Sequence, residues 1–189
     1  MIKKTLSYPS VDRELYRKGI LYRRWKRKYG QTPLFLEMAQ WVTTSGQIPT
    51  TCPHKIKRIY GFGELFAAIH YINLGYEVTW EYWGRNWDAP SYRKAVKILG
   101  EKAADIVCQA QPQPPDLFVV DKKNRFFFVE VKLPGDRLNP KQVAFNRKIE
   151  RYLNRCLPHS RAPHLPKGSW IELLNLSPEA VILDSGDDM

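Results

Sequence analysis

Residues 116–132 read DLFVVDKKNRFFFVEVK, two apolar β-forming runs on either side of the five-residue polar turn DKKNR. A hairpin is the natural reading of such a pair. If the loop closes symmetrically, Val120 pairs with Phe126 and counting outward sets Asp116 opposite Glu130. Directly opposed residues carry Cβ atoms about 4.5–5.5 Å apart. Strand periodicity sends Phe126, Phe128, Glu130 and Lys132 to one face, and Phe127, Val129 and Val131 to the other. Two carboxylates and a lysine are thus expected to meet at the end of an otherwise apolar ladder. Like charges facing each other are costly unless a cation compensates.

The chain around this hairpin reads as alternating helices and strands. Glu64 to Leu74 is expected to be a helix with Leu65, Ile69 and Ile72 inward, ended by Gly75 and followed by the strand YEVTWEYW. A helix beginning at Ser91 carries Tyr92, Val96, Leu99, Ala103 and Ile106 on one stripe and leads into the extended connector QPQPP. After the hairpin, Pro134-Gly135 suits the centre of a type II turn. Asn139 then offers an N-cap, Pro140 the first helical position, and Phe145, Ile149, Tyr152, Leu153 and Cys156 a core-facing stripe. SWIELLNL is expected to be a last strand.

The formal charge of +11 is unevenly placed. Residues 1–60 hold thirteen Lys/Arg against three Asp/Glu, a net +10, so the remaining 129 residues carry only +1. Such asymmetry suggests a polyanion-binding segment beside a nearly neutral body. Val11 to Gly30 reads as one basic amphipathic helix, and a short second helix follows with Thr32, Pro33, Phe35, Met38, Trp41 and Val42. TTSGQIPTTCPHK reads as a linker. The expected division is a basic helical segment at 1–58, a core at 59–183 and an acidic tail at 184–189.

MIKKTLSYPS has no apolar stretch of signal-peptide type, and no apolar run suggests a membrane span, so a cytoplasmic location without membrane contact is expected. Cys52, Cys108 and Cys156 form no disulfide framework. With His54, His159 and His164 they show none of the paired spacings of a zinc site.

Oxygen ligands from Asp116 and Glu130 suit a hard divalent cation, magnesium or manganese in its place. Together with Lys132 and a basic appendage, such a cation favours phosphodiester hydrolysis. The plainer reading of the three side chains is an ion pair at a sheet edge.

Pro115-Asp116, thirteen residues, then Glu130-Val131-Lys132 resembles the signature of PD-(D/E)XK nucleases. FVEVKLPGDRLNPKQ is similar to their virus-type replication-repair branch, the VRR-NUC domain. The resemblance implies an α/β, restriction-endonuclease-like three-layer core with a mixed central sheet, here preceded by a basic helical N-terminal segment. It also implies magnesium-dependent cleavage of DNA. Asp116, Glu130 and the main-chain carbonyl of Val131 would bind metal, with Lys132 as the catalytic lysine. Glu64 would reach the site from the first core helix, and Gln142 matches the glutamine after the acidic strand. Leu133 departs from the glycine, and Phe145 from the tryptophan, frequent at these positions. Branched DNA, flaps and junctions are substrates in the family, and stand-alone members similar to junction resolvases imply a homodimer.

Two of these residues have structural readings beside the catalytic one. Glu64 suits a helix N-terminus, and Gln142, three residues after Asn139, completes a capping box. Arg23, Arg24, Lys26, Arg27 and Lys28, interleaved with Trp25 and Tyr29, are expected to bind DNA together with Arg137 and Lys141. The alternative is a solvated helix face whose aromatic residues pack on the body.

Overall fold

The computed structural model describes residues 1–36, 61–80, 90–108 and 114–179. Its centre is a five-stranded mixed sheet: β1 (Ile2–Tyr8), β2 (Glu77–Trp80), β3 (Leu117–Val120), β4 (Phe126–Lys132) and β5 (Ile171–Pro178). The order across the sheet is β1-β5-β4-β3-β2, with β1, β5 and β4 mutually parallel and β3 antiparallel to both β4 and β2.

The hairpin closes in the expected register, from Val120 opposite Phe126 to Leu117 opposite Val129. Its turn is held by the Asp121 carboxylate, which accepts from the backbone N–H groups of Lys123 and Arg125 and from the Arg125 side chain. Asn124 takes the left-handed conformation there, at φ 58°. Asparagine tolerates that region because its short side chain bonds locally.

The two faces of β4 bury against separate cores. Phe127, Val129 and Val131 lie against α1 (Asp12–Arg17), α2 (Ile20–Tyr29) and α3 (Phe62–Asn73). Phe126 and Phe128 lie against α4 (Pro90–Leu99), α5 (Glu101–Val107) and α6 (Pro140–Cys156). Helices therefore cover the sheet on both sides, which makes the fold a three-layer α/β sandwich of the restriction-endonuclease-like kind. Burying each phenylalanine contributes about 1.5–3 kcal/mol, and all three in the run Phe126 to Phe128 are fully buried.

Several elements differ from expectation. Residues 2–8, expected within the basic helical segment, form an edge strand among the described strands, with alternate residues Ile2, Leu6 and Tyr8 packed on the first core. The single helix expected over 11–30 is two, because Gly19 adopts φ 68° between α1 and α2. Gly100, at φ 78°, likewise divides the expected 91–106 helix into α4 and α5. Left-handed φ is open to glycine at little cost and interrupts a right-handed helix. Cys156, expected inward, is exposed. Residues 33–36 are helical, whereas Met38, Trp41, Val42, Cys52, His54, the linker, the boundary near residue 58 and the acidic tail lie outside the described residues.

Candidate functional site

The carboxylates converge where β3 begins and β4 ends. Asp116 precedes β3 by one residue, and its Oδ2 accepts the backbone N–H of Val131 at 2.7 Å, a bond that ties the start of one strand to the end of the other. Glu130 is 1% exposed, and its Oε1 receives the Lys132 ammonium at 2.5 Å. The same oxygen accepts from the Gln142 side-chain amide at 3.2 Å. Lys132 and Glu130 meet because residues two apart on a strand share a face.

Gln142 reaches Glu130 because its helix is capped to aim it. The Asn139 side chain accepts from the Gln142 backbone N–H at 2.8 Å, and the Gln142 side-chain oxygen accepts from the Asn139 backbone N–H at 3.2 Å. This reciprocal capping box fixes the amide oxygen. The amide nitrogen is left to turn toward Glu130. The structural and catalytic readings of Gln142 are thus compatible in one conformation.

Glu64 stands in the first turn of α3, which packs close to β4: a Cβ added at Gly63 would sit 3.3 Å from the side chains of both Val131 and Leu133. Burial raises the pKa of the Glu64 carboxyl, with Lys132 opposing and Asp136 adding to the rise. Asp116 is pushed well above the usual carboxylate range, by burial first and then by the charges of Glu130 and Glu64, against the pull of the Val131 N–H and Lys132. Glu130 is raised by burial, with Lys132 the main opposing influence. Burial alone would lower the Lys132 pKa, but Glu130, then Asp116 and Asp136, outweigh it and raise it. A half-buried ammonium is therefore held charged among crowded carboxyl groups.

Asp136, which follows the Pro134-Gly135 turn, carries a charge that reaches both Glu64 and Lys132. The turn itself forms as expected: Asp136 N–H donates to the Leu133 carbonyl at 2.9 Å, with Gly135 at φ 91°. The signal available was the spacing alone, since the turn returns Asp136 to the end of β4.

The remaining expected residues fall elsewhere. Arg137 and Lys141 are exposed beside the cluster, before and within the first turn of α6. Arg23, Arg24, Lys26, Arg27 and Lys28 are exposed on α2. Trp25, however, is buried, stacked at 6.4 Å on Phe62, and Tyr29 is buried with its hydroxyl donating to Asn73 at 2.9 Å. These two aromatics pack on the body and are not available as stacking platforms.

The VRR-NUC domain family model matches residues 68–154, which contain Asp116, Glu130, Lys132 and Gln142. This stretch matches the VRR-NUC domains, which belong to the PD-(D/E)XK nuclease superfamily. No curated protein and no solved structure matches the chain. Glu64 and β1, β5, α1 and α2 lie outside the matched part of the VRR-NUC domain, yet β5 pairs with β4 and α3 begins against it.

Among the described residues no three His, Cys, Asp or Glu side chains are grouped to hold an ion by themselves. Asp116 and Glu130 offer oxygen donors only, and their mutual repulsion is what a hard cation relieves. The residues fit magnesium better than a softer ion.

Proposed function

We propose that the protein is a divalent-metal-dependent deoxyribonuclease that hydrolyses phosphodiester bonds, directed to branched, flap or junction DNA in repair, replication or recombination. The observation that supports this most is the half-buried Lys132 ammonium held 2.5 Å from Glu130, with Asp116 beside them, inside a stretch that matches a nuclease domain. Magnesium, or manganese in its place, would be held by Asp116, Glu130 and the Val131 carbonyl, and would supply Lewis-acid stabilisation of phosphate charge and acidify a water.

The chain's own groups do the rest. Lys132, kept protonated by its carboxylate neighbours, donates hydrogen bonds toward the charge that develops on the phosphate oxygens. Gln142 fixes the Glu130 carboxylate in one rotamer, so that it is organised before substrate arrives. Glu64 adds negative charge from the other side of the strand end. Among the described residues no helix is long and apolar enough to cross a membrane.

The test is a panel of labelled duplex, single-stranded, flap and four-way-junction DNA incubated with magnesium or with EDTA. Cleavage in magnesium alone, strongest on a branched substrate, is expected. Glu130→Ala and Lys132→Ala should each lower turnover about 10²-fold or more. Binding without cleavage of every substrate would make the chain a non-catalytic nucleic-acid-binding protein, and full turnover in both variants would reject the site.

A further inference from the structure

Glu130, Lys132 and Gln142 meet on the α6 side of the sheet, shared with Phe126 and Phe128, whereas α2 lies against the opposite face. The helix nearest the site on that side is also the more basic one in its outward surface. Lys141, Arg147, Lys148, Arg151 and Arg155 are all exposed on α6, and among the described residues none is paired with a carboxylate. Its one acid, Glu150, is turned inward, where it accepts from the Trp170 backbone N–H and the terminal amine of Met1.

At about 100° per residue, Lys141, Lys148, Arg151 and Arg155 fall within an arc of roughly 80°. They form a row of about 21 Å along the helix axis. The row starts one residue before Gln142, which touches Glu130. At its far end a cleft of about 430 Å³ opens between α5 and α6, lined by Ile106, Ala144, Lys148, Arg151, Tyr152 and Arg155. The Arg155 guanidinium lies 5.9 Å from the Tyr152 ring centre, which holds it extended over an apolar floor.

We infer that this face of α6 is the track along which one strand of a DNA substrate is led to the catalytic cluster, its phosphates spaced along Lys141, Lys148, Arg151 and Arg155. A run of about 21 Å spans roughly three or more successive phosphates of a strand. Four unneutralised cations in one line match a polyanion of regular charge spacing. The inference takes its occupant from the nuclease reading above. It moves the principal grip from the N-terminal segment to the helix that carries Gln142.

The experiment measures equilibrium binding of a labelled duplex to the full chain across a salt series, in EDTA so that turnover plays no part. The Lys148→Gln/Arg151→Gln/Arg155→Gln variant should bind at least about tenfold more weakly, with the slope of log affinity against log salt reduced by about 2.7. The matched Arg23→Gln/Arg24→Gln/Arg27→Gln variant should change the slope by less than half as much. Should the α6 triple variant fail to fold, the single Lys148→Gln and Arg155→Gln variants should each reduce the slope by about 0.9. Unchanged affinity and slope, or loss confined to the α2 variant, overturns the inference. Because no cleavage is read, failure of the substrate panel in magnesium leaves this result standing, and cleavage with an unchanged slope rejects the track alone.

Discussion

Gln142 is bonded to Glu130 across twelve positions of sequence, at 3.2 Å, while the rest of the same amide closes the cap of its own helix. One side chain therefore serves helix stability and carboxylate orientation at once, and substitutions separate the two. Asn139→Ala should lower stability by about 1 kcal/mol, read from denaturant midpoints, because it removes the acceptor for the Gln142 N–H. Gln142→Glu keeps a residue that completes the capping box but sets a carboxylate against Glu130. It should keep near-normal stability and lose most cleavage. Equal losses of stability in the two variants would contradict the separation.

Asp116→Asn is expected to stabilise the fold while abolishing cleavage. Its carboxylate is buried and faces the charges of Glu130 and Glu64, whereas asparagine still offers an oxygen to the Val131 N–H. Relief of that repulsion should add on the order of 1 kcal/mol in metal-free buffer. A lower melting temperature of the variant in EDTA would show that the carboxylate contributes net stability instead.

Gly61 and Gly75 have nearly the same backbone, φ 88° and φ 85°, but different surroundings. A Cβ at Gly61 would lie 3.1 Å from the Trp80 ring, and one at Gly75 would meet nothing within 4 Å. Gly75→Ala should thus cost only the conformational penalty of about 1–2 kcal/mol. Gly61→Ala should cost about 1 kcal/mol more, through the displaced ring. Equal unfolding free energies for the two variants would remove Trp80 from the argument.

His70 and His164 border the buried Glu172, which also receives Lys4 at 2.6 Å and the Tyr71 hydroxyl. Burial first, and Lys4 with it, holds both imidazoles below the ordinary value of 6.5, with Glu172 partly opposing. A folded-state pKa below the unfolded one means that protonation favours the unfolded chain. Their contribution to stability is present above about pH 6.5 and is lost as pH falls below it. The raised carboxyl groups of Glu64, Asp116 and Glu130 change stability in the opposite sense, so the comparison is between wild type and His70→Gln/His164→Gln. Denaturant midpoints should fall less steeply with acid in the double variant; identical slopes would refute the assignment.

The hairpin and its charged end were legible because a five-residue polar loop between two apolar runs permits few registers, and the register in turn fixes the facing residues. Val120 opposite Phe126 follows from that arithmetic alone. The capping of α6 was legible for the same local reason, since Asn139, Pro140 and Gln142 act within one turn. IKKTLSY was not legible as a strand, because four of its seven residues, Lys3, Lys4, Thr5 and Ser7, are polar and its pairing partner lies far away in sequence. Gly19 and Gly100 left the helical periodicity nearly intact on both sides, so only the backbone reveals the breaks. The basic N-terminal segment drew attention by charge density, but charge density does not report which face of the sheet a helix covers.

The sheet order has a consequence for the nascent chain. The ladder partner of β1, among the described strands, is β5, which also pairs with β4 in the middle of the sheet. During synthesis Ile2–Tyr8 emerges roughly 160 residues before Ile171–Pro178, the strand that receives it. Until then β1 is an unsatisfied edge, and Lys3 and Lys4 discourage its pairing with neighbouring chains. The late strand is the keystone: it joins the early strand β1 to the strand that carries Glu130 and Lys132.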